Sequence, residues 1–390
     1  MTNIKKLHRK ILLIGLFPPP ITGQAVATQA LFEELKKRDL DVDKIELSNR
    51  TNVESLGGKF MKIFENLSVF IIYLWKIPFG KKIVYISPAA STLGFFRDFP
   101  AITLSHLFGQ KIVAHFHIGD YKTFVDSRSP FLQKWIVRTL EKVDKIILLA
   151  ENIRPNFDIA PSILDKVTVI SNGIPEPEST LKPKHLGSEN DEIVLLFLSN
   201  MIQSKGYMSV LEATWLLVNK YNINVKTLFC GQFMTSPDDT LQQSTEEAET
   251  YFWDFVKEKQ LQNNVSFMGV VKGSTKTEIL EKAHIFILPT EYYIEGLPIS
   301  IIESLSYGMP ILATPHRGIP DLVIDGQTGF LISDTDKAAF IAEKINELKQ
   351  NTPLYDSMSQ AAMTHFATYF TADRHFDNVV SVLKELDTDL

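Results

Sequence analysis

Short apolar runs alternate with stretches of helical periodicity along the first half of the chain. The apolar runs predict strands at residues 11–17, 42–46, 83–86, 111–116, 145–149 and 167–170. The stretches between them predict helices at residues 24–37, 60–75, 95–108 and 131–143. Because nearly continuous apolar strands separated by helices are typical of a parallel sheet, we expect a sheet covered by helices on both faces.

The same alternation restarts after a polar stretch that contains Pro175, Pro177 and Pro183. Strands are predicted at residues 193–198, 225–230, 265–268, 285–288, 311–313 and 329–331, and helices at 206–219, 248–259, 276–281, 299–307 and 337–349. Two successive series predict two doubly wound, Rossmann-like α/β domains that face each other across a cleft. We place the domains at residues 1–178 and 179–370, with a helical segment at 371–390 that could pack back on the first.

The beginning of the chain has two interpretations. Basic residues precede the apolar run 11–17, as in a signal peptide, but the run is short for an export signal and stops at Pro18. A buried first strand fits the later strand pattern better. Residues 67–79 are too short for a membrane span. The single cysteine, Cys230, cannot form an intramolecular disulfide, so we expect a cytoplasmic protein.

Charge is unevenly divided along the chain. Residues 1–175 contain 24 Lys and Arg against 16 Asp and Glu, a net charge of +8, which leaves −14 on the remainder of a chain of net charge −6. A basic first half could attract anionic lipid headgroups on the inner face of the membrane or a phosphorylated acceptor, or it could be a solvated face without a partner. Nucleic acid is not expected, because no basic run is interleaved with exposed aromatic residues and the whole chain is acidic.

Residues 60–82 have two interpretations as well. Their aromatic residues and lysines are a mixture suited to a helix that lies in a membrane interface. Apolar residues, however, occupy most faces of the predicted helix, which favours a core helix with solvated lysines at its ends.

The most informative stretch is residues 283–329. A predicted strand leads into a polar loop with Glu295, and Gly296-Leu297-Pro298 then opens a helix. The free backbone N–H groups and the positive dipole end of that helix suit a phosphate. Glu303 lies within this largely apolar helix. Its carboxylate either accepts hydrogen bonds from a ligand, such as a pair of ribose hydroxyls, or lies on a solvated stripe.

Glu295 and Glu303 enclose seven residues, and the whole segment resembles the E-x7-E signature of retaining glycosyltransferases of family 4, which have the GT-B fold. The wider pattern, E-G-L-P-x4-E-x4-G-x-P-x-x-A-T, is also similar to that family. The resemblance implies that Glu303 binds the donor ribose and Glu295 the hydroxyls of the donor sugar. The N–H groups of Gly296 and Leu297 would contact the diphosphate.

Residues 199–207, SNMIQSKGY, resemble the G-R-x4-K-G segment of the same family. The resemblance makes Lys205 the cation that neutralises the leaving diphosphate. The usual arginine of the segment is Asn200 here, which puts donor identity or geometry in doubt.

In the first half, residues 17–24 (FPPPITGQ) resemble the first loop of the family and place Gly23 beside the donor. Residues 114–120 (AHFHIGD) resemble its H-x-H-G loop, so that His117, rather than His115, would approach the transferred sugar at the reaction centre.

The resemblance therefore implies a retaining transferase that moves a hexosyl unit from a nucleoside diphosphate sugar to a glycan acceptor. The expected process is synthesis of a cell-surface polysaccharide such as O-antigen, capsule or exopolysaccharide, on an acceptor that is lipid-linked in many members of the family. No metal or other cofactor is expected, since the H-E-x-x-H and C-x-x-C motifs do not occur. Two alternatives stay open: a sugar-nucleotide epimerase or hydrolase, and a non-catalytic homologue that binds sugar nucleotides or lipids.

Overall fold

The computed structural model describes residues 7–18, 23–47, 67–178, 181–187, 191–237, 239–240, 244–333 and 335–387. The chain divides into two units, Met1–Ser171 with Asp373–Leu390, and Asn172–Ala372. The first unit thus ends at Ser171, a short way before the boundary at residue 178 that the sequence suggests.

The first unit contains a parallel sheet with the order β2-β1-β3-β4-β5-β6. Its strands are β1 (Lys10–Leu16), β2 (Val42–Leu47), β3 (Lys82–Ile86), β4 (Lys111–His115), β5 (Lys145–Leu148) and β6 (Val167–Val169). The described helices are α1 (Gly23–Lys37), α2 (residues 67–76), α3 (Thr92–Leu107), α4 (Lys122–Asp126), α5 (Pro130–Leu140) and α6 (Pro161–Leu164), and Glu151–Phe157 form a 3₁₀ helix.

The second unit contains a parallel sheet with the order β12-β11-β10-β7-β8-β9. Its strands are β7 (Ile193–Leu198), β8 (Val225–Cys230), β9 (Val265–Gly269), β10 (Ile285–Leu288), β11 (Ile311–Ala313) and β12 (Gly329–Leu331). Its helices are α7 (Tyr207–Asn219), α8 (Thr245–Glu258), α9 (Gly273–Lys282), α10 (Ile299–Ser306), α11 (Ile319–Leu322), α12 (Lys337–Gln350) and α13 (Thr352–Tyr369), with a 3₁₀ turn at Gln203–Lys205. The last helix among the described residues is α14 (Ala372–Asp387).

Helix α14 contributes to the core of the first unit. Its apolar stripe, which includes Val379 and Leu383, packs in one buried cluster with Ile11 and Leu13 of β1. The Asp387 carboxylate accepts hydrogen bonds from the backbone N–H groups of residues 8 and 9, at 2.7 and 2.9 Å. The apolar stripe of α14 and the alternate residues of β1 that face it therefore pack in the same core.

Strand order sets where a ligand can bind in each unit. In the second unit, β8 and β9 extend the sheet on one side of β7, and β10, β11 and β12 extend it on the other. The connections therefore leave the pair β7–β10 in opposite directions, and the carboxyl ends of these two strands form the topological switch point. In the first unit, β1 and β3 are the corresponding pair.

All twelve predicted strands are confirmed, with ends that shift by at most a residue or so. Helix α2 departs from the core-helix interpretation. Val69 and Tyr73 are buried, but Ile71 and Trp75 are exposed, so the described part of α2 covers the sheet with one stripe only. Residues 60–66 of the predicted helix lie outside the described residues. Within the described part of the chain, no helix combines the length and hydropathy needed to cross a membrane.

Candidate functional site

A buried ion pair lies at the switch point of the second unit. Lys205 follows β7, Glu295 follows β10, and the lysine Nζ bonds to the glutamate Oε2. Each residue is only 9% exposed. The Thr290 hydroxyl donates a further bond of 3.3 Å to the same carboxylate oxygen, and the ring centroid of Tyr292 lies 4.6 Å from Nζ. A buried charge is costly unless it is paired, and here each charge compensates the other.

Gly206 allows the chain after β7 to come this close to the chain after β10. It has a φ of +80°, and a Cβ atom at this position would lie 2.6 Å from the carbonyl oxygen of Pro289. Only glycine tolerates both conditions. The N–H of Glu291 donates to the carbonyl of Ser204 at 2.7 Å, which closes the contact between the two loops.

Side chains of the segment after β11 form hydrogen bonds that hold the loop with Glu295 in place. The Thr314 hydroxyl donates to the carbonyl oxygen of Thr290, and His316 Nε2 donates to the carbonyl oxygen of Tyr292 at 3.0 Å. Burial lowers the pKa of His316 below its ordinary value, so the ring is neutral near pH 7. The loop geometry therefore does not depend on a charged histidine.

Gly296 and Leu297 are buried directly before α10, and Pro298 is the first residue outside the helix. No side chain in this described region caps the helix start. The Leu297 carbonyl accepts a bond of 3.4 Å from the side-chain amide of Asn172. This helix start carries the partial positive charge that favours an anion.

Glu303 lies at the wall of a cavity of 420 Å³ that also includes Lys276, Thr277 and Tyr307. Its Oε1 pairs with Nζ of Lys276, on α9. The carboxylate is therefore neither alone on a solvated stripe nor fully buried. It stands at an opening of the size range in which small ligands bind.

Asn200 stands at the position where the G-R-x4-K-G segment has an arginine, and Arg317 is an arginine that bonds to the loop that carries Glu295. Asn200 is exposed after β7, and its carbonyl accepts the N–H of Ile202 at 2.9 Å. Arg317 has a φ of +52°, and its Nη2 donates to the Tyr293 carbonyl at 3.3 Å. Arg317 thus binds the same loop that carries Glu295.

In the first unit, Gly23 is the first residue of α1. Apart from its chain neighbours and the backbone of its own helix, no described atom lies within 4 Å of the position that a Cβ would take there. The preceding residues 19–22 of the predicted loop lie outside the described residues. His117 follows β4, with its ring centroid 4.1 Å from that of His115. His375 of α14 lies 6.3 Å from His115, and its Nδ1 donates to the Ser171 carbonyl at 2.8 Å.

Burial keeps these three histidines neutral. It lowers the pKa of His115 well below the ordinary value, that of His117 to about 4, and that of His375 below its ordinary value. The hydroxyl of Tyr85 bonds to Nδ1 of His115. A neutral His117 can donate or accept a hydrogen bond but brings no positive charge to a ligand.

Acid should therefore destabilise the protein through these histidines. Between pH 6.5 and about 4 the unfolded chain binds protons that the folded chain does not, so the free energy of unfolding falls as the pH falls through this window. Each histidine contributes up to about 1.4 kcal/mol per pH unit. Urea unfolding at several pH values measures this slope. His117→Asn should reduce this slope, and a slope equal to that of the wild type would contradict the assignment.

Several of these contacts were not predicted from the sequence. Thr290 and Tyr292 lie in the informative stretch, but nothing in their spacing assigns them to Glu295 or Lys205. Lys276 and His375 belong to no motif. Tertiary packing brings Lys276 to Glu303 in the second unit and His375 to His115 in the first. No group of three or more His, Cys, Asp or Glu side chains among the described residues is arranged to hold a metal ion.

Residues 178–365 match the family model described as glycosyl transferases group 1. The capsular polysaccharide biosynthesis glycosyltransferase CapM of Staphylococcus aureus is 24% identical over 56% of this chain and 55% of its own length. Four such relatives, CapM among them, align over only 22% to 57% of their length.

Two solved structures share the fold over nearly the whole chain. Sucrose-phosphate synthase from Thermosynechococcus elongatus has a TM-score of 0.70 at 16% identity and covers 97% of this chain and 99% of its own. The Anabaena protein HepE, solved with UDP and glucose, has a TM-score of 0.66 at 14% identity and covers 97% and 100%. The predicted fold class is therefore confirmed: the two six-stranded parallel sheets match the GT-B glycosyltransferase fold.

Proposed function

We propose that the protein is a retaining glycosyltransferase that moves a hexosyl unit from a nucleoside diphosphate sugar to a glycan acceptor during synthesis of a cell-surface polysaccharide. The observation that carries this proposal is the buried Lys205–Glu295 pair at the β7–β10 switch point, beside the start of α10. The name of CapM supports the polysaccharide class, and the UDP and glucose of the HepE complex support the donor class.

Donor binding would replace the ion pair between Lys205 and Glu295 with contacts from each of these residues to the donor. The diphosphate brings negative charge to Lys205 Nζ, which now bonds to Glu295. When Nζ turns to the phosphate, the Glu295 carboxylate is free to accept hydrogen bonds from hydroxyls of the sugar. The N–H groups of Gly296 and Leu297 and the helix dipole add to the positive field at the diphosphate. The buried pair thus holds both groups in place before the donor arrives.

In the reaction the bond between the anomeric carbon and the diphosphate oxygen breaks, and the acceptor oxygen bonds to that carbon on the same face. The leaving phosphate takes the proton of the acceptor hydroxyl. The chain's part is to stabilise the charge that develops on the leaving diphosphate, chiefly through Lys205. His117, which burial keeps neutral, would contribute a hydrogen bond at the transferred sugar. Gly23, which has no side chain, would leave room for the donor.

The test is a screen of nucleoside diphosphate hexoses by thermal shift, followed by transfer of radiolabelled sugar from the donor that binds. A donor at 100 times its Kd stabilises the folded chain by about 2.7 kcal/mol. Label that moves to a polysaccharide acceptor supports the proposal. Label released or rearranged without an acceptor would favour the hydrolase or epimerase, and donor binding without any turnover would favour the non-catalytic homologue.

Chelation should leave turnover unchanged. The proposed neutralisation of the diphosphate uses Lys205 and the start of α10, which need no divalent ion. Turnover is measured before and after EDTA, with added magnesium or manganese as the control. Activity that disappears with EDTA and returns with either metal would contradict this account.

A further inference from the structure

Helices α2, α3 and α5 of the first unit, with the residues that directly follow α2 and α3, expose several large apolar side chains. Trp75 of α2 is 77% exposed and Phe131 at the start of α5 is 78% exposed. We define the apolar face as six side chains that are each at least half exposed: Ile71, Trp75, Phe79, Leu107, Phe108 and Phe131. Exposed apolar groups on this scale mark a surface that binds a protein or a membrane.

Contacts between the helices place these side chains on neighbouring segments. The Gln110 side-chain amide donates to the carbonyls of Ile77 and Gly80, at 3.0 and 2.9 Å. This ties the end of α3, with Leu107 and Phe108, to the segment that carries Phe79. Helix α3 also packs on α5, where the rings of Phe96 and Trp135 are 5.4 Å apart.

The charge around the apolar face is positive. Residues 67–142 contain ten Lys and Arg against four Asp and Glu, a net charge of +6. Three of these bases are paired, Arg97 with Asp98, Lys122 with Asp126, and Lys111 with Asp144 just beyond this stretch, so they add little to the positive field. Asp120 and Glu141 accept hydrogen bonds from Thr123 and Ser162 and keep their charge. The exposed basic side chains include Lys81, Lys134 and Arg138. Lys76 and Lys82 contribute less, because Lys76 pairs with Asp43 and Lys82 is buried.

We propose that the protein docks on an anionic lipid bilayer through the apolar face. The aromatic and aliphatic side chains would enter the headgroup region while the basic side chains contact lipid phosphates. Apolar groups bordered by basic ones fit an anionic interface. A second copy of the chain is a poorer partner, because a symmetric dimer through this face would bring two surfaces of the same positive charge together.

The test is co-sedimentation of the full chain with vesicles of phosphatidylglycerol and phosphatidylcholine, and with vesicles of phosphatidylcholine alone. We expect binding to the anionic vesicles at low salt and weaker binding at high salt. Trp75→Ser with Phe79→Ser should lower the partition coefficient about tenfold or more, since both side chains are exposed and lose their burial in the interface. Lys134→Gln with Arg138→Gln should lower it about tenfold or more, at roughly fivefold per charge.

The matched control is Tyr251→Ser with Val270→Ser, two exposed apolar positions in the second unit, which should bind vesicles like the wild type. Circular dichroism and thermal unfolding check that each variant folds. No binding of the wild type to anionic vesicles, or equal binding by all variants, would overturn the proposal. Size-exclusion chromatography that shows a dimer lost in the Trp75 and Phe79 variant would assign the face to self-association instead. Because the assay uses no donor or acceptor, its result can contradict membrane docking without contradicting the proposed function.

Discussion

Lys205→Met should lower kcat about 100- to 1000-fold, the usual cost of removing one preorganised group that stabilises transition-state charge. The substitution keeps the length of the side chain but removes the cation that would meet the leaving diphosphate. The measurement is steady-state transfer with the donor found by the screen. The matched control is Lys337→Met. Lys337 of α12 forms an ion pair of 2.9 Å with Glu291, which lies on the loop that carries Glu295. Because Glu291 is exposed, this pair contributes little, and kcat should change by no more than about twofold.

Loss of stability must be separated from loss of catalysis in this variant. Lys205→Met leaves the buried Glu295 carboxylate without its cation, which should cost about 3–5 kcal/mol in the free energy of unfolding. Adding Glu295→Gln removes the uncompensated charge and should recover most of that stability without recovering kcat. If the double variant regains both, Lys205 has a structural role only. Wild-type kcat in a folded Lys205→Met variant would also contradict the charge-stabilising role.

The sheets could be predicted from the sequence because most of their strands are almost wholly apolar, with β2 (VDKIEL) as an exception. A buried parallel strand such as β7 has no polar face to confuse the pattern. Helix α13 was not predicted, because its Ser, Thr, Gln and Ala residues give a weak apolar stripe. The sequence predicts the position of α2 along the chain, but not which of its faces is buried. Its apolar residues face both the sheet and the surface, so periodicity alone cannot separate a core helix from an interfacial one.

The candidate site could be predicted only where its residues are close in the sequence. Glu295 and Glu303 could be predicted because the loop with Glu295 leads directly into the helix with Glu303. Lys205 could be predicted because it belongs to a short motif. Their partners come from elsewhere. The pairing of Lys205 with Glu295 depends on the adjacency of β7 and β10, and Lys276 reaches Glu303 from α9. Such contacts follow from sheet order and helix packing, which composition and spacing do not encode locally.

Glu303→Ala should weaken donor binding roughly 10- to 150-fold, because one or two charge-assisted hydrogen bonds, worth about 1.5–3 kcal/mol, are lost. Glu303→Asp should also bind weakly, since a shorter side chain cannot reach the ribose hydroxyls from the same helix position. The measurement is calorimetric titration with the nucleoside diphosphate of the donor. A 2′,3′-dideoxy analogue provides the direct comparison. The wild type should bind this analogue weakly, and Glu303→Ala should bind it as well as it binds the natural nucleotide.

Lys276→Met is the matched variant for this test. It removes the other member of the ion pair but leaves the Glu303 carboxylate, which stands at the cavity wall and is partly hydrated. Donor affinity should therefore change less than about tenfold, because a surface-accessible pair contributes little once one partner is solvated. If Lys276→Met costs as much as Glu303→Ala, the lysine itself binds the nucleotide. If Glu303→Ala binds the natural nucleotide like the wild type, the carboxylate serves α9 and α10 as a structural contact and not the ribose.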